Sequence, residues 1–323
     1  MATILTGDLY VVDLSEPSCQ ELAVVEAVRG EHVLELSGGF AKTLILTGQG
    51  VARSVTPGSS EAPTVPELNG LEGQLAQVAF GSKHVAALTH TGQVYTMGDG
   101  AVGQLGHGNT ERSAEFRQVG VLRERAVGQL ACGKGHTLAL TAEGDVYSWG
   151  EGKEGQLGLG RPQPNFVPRY VSALQATPIA QVAAGAAHAA VLSVYGRVYT
   201  WGEALCGQLG LGKPLRNQPS PMEVPGLPDI KQIACGEVHT VALGAEGPLY
   251  AWGLATRGPP LSRRTTPLPE LVELPSPVAS VVCGGGTTIV LSETGEMRSP
   301  PRRPRSQPCS RPRSHPPCGR HAH

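Results

Sequence analysis

Short apolar runs of about six residues, separated by turns, recur along most of the chain. In the best preserved stretch, "IAQVAAG" (179–185) and "HAAVLS" (188–193) flank a glycine, and "RVYTWG" (197–202) then alternates its side chains between two faces. Turns such as "TAEG" (141–144) end in glycine, as hairpins that need a positive φ prefer. Runs of this length are typical of strands. The pattern therefore predicts three consecutive antiparallel strands, and the Pro-rich stretch that follows has room for a fourth.

The same order of runs is repeated at a nearly constant spacing. "GQVYTMGDGAVGQLGHG" (92–108), "GDVYSWGEGKEGQLGLG" (144–160) and "GRVYTWGEALCGQLGLG" (196–212) start 52 residues apart. A Gly-x-x-His landmark precedes each copy, and degenerate copies extend the series to six glycine anchors, at 38, 81, 133, 185, 236 and 284. Periods near 50 residues indicate solenoids or propellers, and four antiparallel strands per unit favour a propeller. We therefore predict an all-β fold, a β-propeller of about six to seven four-stranded blades.

These residues resemble the repeat of the regulator-of-chromosome-condensation family, which reads approximately G-x-x-H-(S/T)-x-x-L, then G-x-(V/L)-(Y/F)-x-W-G, then G-Q-L-G. Residues 81–108, 133–160 and 185–212 match nearly the whole pattern, and 236–253 match until "LATRGPP" replaces the last loop. The resemblance covers about residues 30–297. It implies a propeller, which is seven-bladed in the founding member.

The two chain ends bear on how the ring closes. "TGDLYVVD" (6–13) resembles a third strand without its first half, whereas the last unit breaks at Arg298, where a third strand is expected. Two interpretations stay open: the N- and C-terminal strands pair to close the ring, or the propeller is truncated at its last blade. The tail 298–323 has seven arginines, no lysine and no acid, and such a segment cannot build a core. We expect a propeller domain over 1–297 and a disordered basic tail, either functional or an alternative ending.

The amino-acid composition and the cysteine spacing bear on the fold class and on the cellular compartment of the protein. With 43 glycines, 27 prolines and 16% charged residues, the chain suits an all-β fold with many turns. The seven cysteines include no C-x-x-C pair, so neither a disulfide framework nor a zinc ribbon is expected. Cys132, Cys235 and Cys283 recur at one repeat position, which is typical of buried core thiols. Without a signal peptide or a membrane span, we expect a cytoplasmic, alternatively nuclear or ciliary and centrosomal, protein that is not secreted.

Gly98, Gly100 and Gly103 form a G-x-G-x-x-G string of the kind that cradles a dinucleotide. A second copy occurs at 150–155, but Ala204 replaces the middle glycine in the third copy, and no helical period follows. The glycines therefore mark turns of the repeat, and no cofactor is expected. We assign a structural role to the glycine that ends each third strand: Gly98, Gly150 and Gly202.

Four histidines and three tryptophans recur once per unit. A metal site is an alternative role for the histidines, but residues on separate blades lie too far apart for one ion, whose bonds to nitrogen are about 2 Å. Buried imidazoles that hydrogen-bond a neighbouring strand explain the regularity better. Light sensing is an alternative for the tryptophans, because a plant photoreceptor shares this repeat, but the extra tryptophans of such a cluster are missing. We predict structural roles and no metal for His84, His136, His188, His239, Trp149, Trp201 and Trp252.

Asp99, Glu151 and Glu203 follow the (W/M)-G step in three successive units. A propeller presents that position on one face, so we expect the three carboxylates to line an arc of one rim, with none of them buried. Residues 1–297 carry 19 basic and 27 acidic side chains, a balance that favours a basic partner. Solvated loop charge without a binding role is the alternative.

No catalytic motif is visible, since the chain has no G-x-S-x-G elbow, Walker loop or H-E-x-x-H. We predict a non-enzymatic scaffold that binds a protein, such as a small GTPase, a kinase or a ciliary or cytoskeletal protein. The resemblance offers an alternative, guanine-nucleotide exchange on a small Ras-like GTPase, as the founding member performs on Ran, although the uniform spacing leaves no room for an inserted wedge. A third possibility is a truncated propeller with little activity. Nucleic acid is expected to make only weak nonspecific contact, through the tail.

Overall fold

The structure is a computed structural model that describes residues 71, 75–254, 265–272, 274, 278–285 and 287–292, together with the backbone of five short strands nearer the N-terminus. Each described element is a β-strand, apart from two one-turn 3-10 helices at Gly120–Leu122 and Ser172–Leu174. The strands are β1 (Tyr10–Val11), β2 (Ala23–Val24), β3 (Val33–Gly38), β4 (Thr43–Thr47), β5 (Ala52–Val55), β6 (Leu75–Phe80), β7 (His84–Thr89), β8 (Val94–Gly98), β9 (Ser113–Gln118), β10 (Val127–Cys132), β11 (His136–Thr141), β12 (Val146–Gly150), β13 (Asn165–Tyr170), β14 (Ile179–Ala184), β15 (His188–Ser193), β16 (Val198–Gly202), β17 (Gln218–Glu223), β18 (Ile230–Cys235), β19 (His239–Gly244), β20 (Leu249–Gly253), β21 (Thr266–Val272), β22 (Val278–Gly284) and β23 (Thr287–Ser292).

These strands form antiparallel blades in chain order. Blades 2 to 5 are complete and four-stranded: β6–β9, β10–β13, β14–β17 and β18–β21. Blade 1 contains β3, β4 and β5, and blade 6 contains β22 and β23. The predicted all-β fold of four-stranded antiparallel blades is thereby confirmed. Each of the six glycine anchors ends or directly follows the first strand of a blade.

The second strand of each complete blade is buried at all six of its positions. A strand covered on both faces has no solvent side, so its apolar residues do not alternate with exposed polar ones, and its histidine and threonine side chains are buried as well. The fourth strands lie at the outer edge and are mostly exposed or half-buried. Burial therefore falls from the inner to the outer strands of each blade.

The blades stack side by side through apolar clusters at their interfaces. One such cluster, between blades 3 and 4, joins Leu138 and Val146 of one blade to Val191 and Trp201 of the next. The first strand of every blade contacts the first strand of its neighbours, and β22 also lies against β3, so blades 6 and 1 are adjacent. No single blade could bury both of its faces alone, which is why the units stabilise one another.

The described strand pairings do not include a pairing of the N- and C-terminal strands that would close the ring. Among the described strand pairings, β1 pairs with β2 and β23 pairs with β22, and no pairing joins β1 to β23. The basic tail, 298–323, lies outside the described residues. Within the described part of the chain, no helix is long and apolar enough to span a bilayer.

Candidate partner-binding face

The two ends of the blades carry different connections. Turns between first and second strands and longer loops between third and fourth strands lie at one end, which we call the loop face. Hairpins between second and third strands lie at the other end, the turn face. Each long loop of blades 2 to 4 reaches over the next blade, where Gly106, Gly158 and Gly210 lie so close to the indole of Trp149, Trp201 and Trp252 that a Cβ would collide with it.

Asp99, Glu151 and Glu203 occupy one position on the loop face of blades 2, 3 and 4. In each case the backbone N–H donates, at 2.8 Å, to the carbonyl oxygen of the residue before the blade's histidine. The structure therefore brings all three residues to one face, at the same place in successive blades. Each side chain is half-buried instead of standing free in solvent.

The region between blades 3 and 4 concentrates negative charge. Glu203 Oε2 accepts a hydrogen bond from Gln208 Nε2 at 3.1 Å. Burial raises the pKa of Glu203, and the charge of Glu154 raises it further, whereas Gln208 and Lys134 act in the opposite direction. Glu154 in turn accepts a hydrogen bond from Asn217 Nδ2 at 2.5 Å. The sequence pattern did not single out Glu154, because its position is not acidic in the neighbouring units.

The wider charge distribution differs from the picture of an acidic body. Residues 75–254, which contain blades 2 to 4 and most of blade 5, carry 13 acidic and 13 basic side chains. The excess of acid comes mainly from residues 1–74, with 10 acidic and three basic side chains. The three carboxylates thus form local negative sites on a balanced surface, and any selectivity for a basic partner depends on their positions more than on net charge.

The repeated histidines join successive blades. Nε2 of a histidine lies 2.9 Å from a threonine Oγ1 of the next blade in the pairs His84–Thr137, His188–Thr240 and His239–Thr288. His136 differs, because Ala189 stands where blade 3 has Thr137 and blade 5 has Thr240. Its Nε2 therefore has no hydrogen-bond partner among the described residues.

The threonine hydroxyls also define the imidazole tautomer. Thr137 and Thr240 donate to the carbonyl oxygens of Gln104 and Gln208, at 3.1 and 2.9 Å. A hydroxyl has one proton to donate, so each must accept from a protonated Nε2 of its histidine. Burial lowers the pKa to about 4 for His84 and to about 3 for His188. These imidazoles are neutral at pH 7, which suits an inter-blade hydrogen bond and supports the predicted structural role.

The tryptophans are spread around the ring. Trp149 Nε1 donates to the Gln104 carbonyl oxygen and Trp201 Nε1 to that of Gln156, each at 2.9 Å. Trp149, Trp201 and Trp252 belong to three different apolar clusters, one per blade interface. They therefore pack separate interfaces instead of forming one aromatic group.

A second set of inter-blade links was not anticipated from the sequence. In blades 2 to 5 a glutamine of the first strand accepts a hydrogen bond from a backbone N–H of the next first strand, at 2.6 to 3.0 Å. Gln181 and Gln232 also donate to the carbonyl oxygen of the residue they bind. The four residues are Gln77, Gln129, Gln181 and Gln232. A polar residue repeated inside an otherwise apolar strand was the available signal.

Comparison with known proteins decides the family. Residues 12–300 match the description of the RCC1-like domain. The chain belongs to this family. This chain is 34% identical over 258 residues to the ultraviolet-B receptor UVR8 of Arabidopsis thaliana. The aligned region covers 79% of this chain and 58% of UVR8. It is also 35% identical over 234 residues to the probable E3 ubiquitin-protein ligase HERC6 of Homo sapiens, and this aligned region covers 69% of this chain and 23% of HERC6.

Solved structures show the same fold. Human WBSCR16 superposes with a TM-score of 0.70 at 29% identity, over 81% of this chain and 72% of that chain. The RCC1-like domain described here spans about three-fifths of UVR8 and about a quarter of HERC6. Its similarity to them concerns the repeat and the fold.

An arc of backbone hydrogen bonds joins successive blades of the RCC1-like domain on the loop face. Ser82, Lys134, Ala186 and Glu237 each donate an N–H to the carbonyl oxygen of the corresponding residue in the next blade, and the series ends at Gly285. Residues of this arc line a narrow opening, together with Cys132, Cys235 and Cys283. Cys283 is buried, as expected, whereas Cys132 and Cys235 are half-buried and pack against the core clusters. Burial raises the pKa of Cys132 and Cys283 to about 12, so neither is a ready nucleophile.

The described part of the RCC1-like domain shows no arrangement of three or more histidine, cysteine, aspartate or glutamate side chains that could hold a metal ion. The repeated glutamines and all the repeated histidines except His136 bond across blade boundaries. On the loop face, the three carboxylates and Glu154 are polar groups that another molecule could contact.

Proposed function

We propose that this RCC1-like domain is a non-enzymatic protein-interaction module whose loop face binds a basic segment of a partner protein. The observation that carries the proposal is the placement of Asp99, Glu151 and Glu203 at one position of three successive blades, each with its backbone N–H bound at 2.8 Å. This arrangement spaces three carboxylates along an arc, and a segment with basic residues at matching intervals could contact all of them.

The family relationship supports a module that is used in several contexts. Relatives of the chain include a protein named as an ultraviolet-B receptor and another named as a probable ubiquitin ligase, of which the chain covers only a part. A fold shared by proteins with such different names suits a docking unit better than one conserved reaction. The residues that repeat most strictly hold the blades together, which leaves the variable loops for partner choice.

The contribution of the carboxylates is expected to be electrostatic. Partly exposed charges increase association rate and specificity, with modest affinity for each pair, and salt screens their effect. Of the three carboxylates, Glu203 should respond most to a nearby cation, because burial and the charge of Glu154 raise its pKa. A cationic side chain placed beside this pair would relieve the repulsion between the two carboxylates.

A charge-matched comparison tests the proposal. The loop-face variant removes three half-buried carboxylates through Asp99→Asn, Glu151→Gln and Glu203→Gln. The control variant removes three exposed carboxylates that lie off the loop face, through Glu115→Gln, Glu143→Gln and Glu246→Gln. Partners are captured with the whole chain from a cell extract and quantified by mass spectrometry at low and high ionic strength. We expect the loop-face variant alone to lose its main partner, and more so at low ionic strength. Equal loss in both variants, or no loss, would contradict the proposal.

A further inference from the structure

Large apolar side chains are exposed on the outer strands of two adjacent blades. Met222 on β17 of blade 4 is 48% exposed, and Leu268 and Leu271 on β21 of blade 5 are 47% and 58% exposed. We call the surface that these three residues line the blade 4–5 groove. Unlike scattered surface leucines, which need no explanation, these residues are grouped at one blade boundary.

The strand registers put two of the three side chains on the sides of their sheets that face that boundary. Met222 pairs with Thr200, two residues from Val198, which belongs to the core cluster between blades 4 and 5. Leu271 pairs with Tyr250, which packs against the same cluster from blade 5. Strand neighbours that pair directly lie on the same side of a sheet. Met222 and Leu271 are therefore on the facing sides of the two outer strands.

Leu268 extends the groove towards the loop face. A Cβ placed on Gly212, in the long loop of blade 4, would lie 3.5 Å from Leu268 Cδ2, so this leucine also faces blade 4. Leu268 and Leu271 are three residues apart, or about 10 Å along a strand. The same distance separates residues i and i+7 of a helix, with a rise of about 1.5 Å per residue.

The other blade boundaries provide an internal comparison. At the two positions equivalent to Met222 and Leu271, the boundary of blades 2 and 3 has Arg117 and Tyr170, and that of blades 3 and 4 has Arg169 and Glu223. Both of those boundaries carry a charged side chain, whereas the blade 4–5 groove carries none at either position. Its occupant must therefore be uncharged where it touches these walls, because an unpaired charge would lose its hydration without compensation.

The chemistry of the two outer strands limits how a partner can bind. Pro219 and Pro221 interrupt β17, and Pro267 and Pro269 interrupt β21. Proline lacks a backbone N–H, so neither edge can accept an added strand along its length. Polyproline ligands prefer grooves lined with aromatic rings, whereas these walls are methionine and leucine, which adapt to the apolar face of a helix.

We propose that the blade 4–5 groove binds the apolar face of an amphipathic helix from another protein. Three anchoring side chains are far fewer than the about 20–30 residues per side of a stable protein interface, so a symmetric contact with a second copy of this chain is disfavoured. The groove lies on the outer rim, away from Asp99 and Glu151, and is independent of the function proposed for the loop face.

The test uses a displayed library of helical peptides of about 15 residues, with Leu, Ile, Met or Phe varied at positions i, i+3, i+4 and i+7, selected against the whole chain. The selected peptide is labelled and titrated by fluorescence polarisation. We expect Met222→Arg and Leu271→Glu, which introduce residue types found at the other boundaries, each to weaken binding by about tenfold or more. The control Val121→Arg alters another exposed apolar residue, 52% exposed, and should leave binding unchanged.

A transplant provides the converse measurement. Arg169→Met with Glu223→Leu makes the boundary of blades 3 and 4 resemble the groove, and a second equivalent of peptide should then bind. A selection that yields no binder, or a peptide whose affinity survives both charged substitutions, overturns the proposal. A dimer in sedimentation that Met222→Arg dissociates would also overturn it, because the occupant would then be a second copy of the chain.

Discussion

The substitution Ala189→Thr is expected to stabilise the propeller by restoring a missing link between blades 3 and 4. His84, His188 and His239 each bond a threonine of the next blade at 2.9 Å, whereas His136 faces Ala189. Ala189 is fully buried, as are Thr137 and Thr240 at the same position in blades 3 and 5. A hydroxyl at position 189 would accept a hydrogen bond from the Nε2–H of His136 and donate one to the carbonyl oxygen of Gln156.

The magnitude follows from the bonds formed. A net hydrogen bond contributes about 0.5–1.5 kcal/mol, and an unpaired buried polar group costs about 1–3 kcal/mol. Added volume at a buried site opposes the gain by a comparable amount where it does not fit, but the neighbouring blades accept threonine at this position. We expect a gain of about 1–2 kcal/mol in unfolding free energy. Such a gain raises the thermal midpoint by about 2–4 °C per kcal/mol in domains of about 150–250 residues, and less in a longer chain.

Thermal unfolding followed by circular dichroism measures the effect, with two comparisons. Ala189→Val adds nearly the same volume without a hydroxyl and should not reproduce the gain. Thr137→Ala removes the partner of His84 and should lower the midpoint by a similar amount. The reasoning would be refuted if Ala189→Val stabilised as much as Ala189→Thr, because space filling would then account for the gain, or if Thr137→Ala had no effect.

Three further predictions concern acid stability, the glutamine links and nucleotide exchange. Burial lowers the pKa of His84, His136, His188 and His239 from 6.5 to about 3–4, so the unfolded chain binds more protons below pH 6.5. The unfolding free energy should therefore be highest above that pH and should fall by about 1.4 kcal/mol per histidine at pH 5.5. Denaturant titrations at pH 7.5 and 5.5 measure this difference, and equal midpoints would show that the imidazoles are hydrated. Gln181→Ala leaves the backbone N–H and C=O of Ile233 without their side-chain partner, and we expect it to lower the unfolding free energy by about 1–3 kcal/mol. Gln175→Ala changes an exposed glutamine and is the control in the same denaturant titration. Equal midpoints for the two variants would show that the glutamine links do not stabilise the propeller. Mixed with a panel of Ras-like GTPases loaded with a fluorescent GDP, the protein should leave the release rate unchanged, and a many-fold acceleration on one of them would favour the exchange alternative.

Local residue patterns were sufficient for the architecture of single blades. The runs "HTLALT" and "DVYSWG" predict two strands joined by a glycine turn, and the structure pairs them with His136 opposite Gly150. Gly150 has a φ of 103°, and a Cβ there would collide with backbone. The same conformational requirement explains why glycine recurs at this position in each unit. A period of about 50 residues repeats these local preferences, which is why the propeller fold and the family could be inferred without coordinates.

The partners of the repeated side chains were decided by how blades stack. His84 finds Thr137 at a separation of 53 residues, and Gln181 finds Ile233 at 52. A periodic sequence shows that such residues recur, but it does not show whether each one bonds within its own blade or to the next. Glu203 was expected to be an unburied loop charge, but in the structure it is half-buried, and both this burial and the charge of Glu154 raise its pKa.

The same distinction applies to the surfaces that could bind partners. The order of residues placed Asp99, Glu151 and Glu203 on one face, because an antiparallel blade returns equivalent positions to the same end. It did not indicate the blade 4–5 groove, since Met222 and Leu271 lie 49 positions apart and each looks like an ordinary edge-strand residue. Strand pairing determines which side of its sheet each residue occupies, and blade packing determines which two sides meet. Those contacts depend on the whole chain, so only the tertiary structure could specify them.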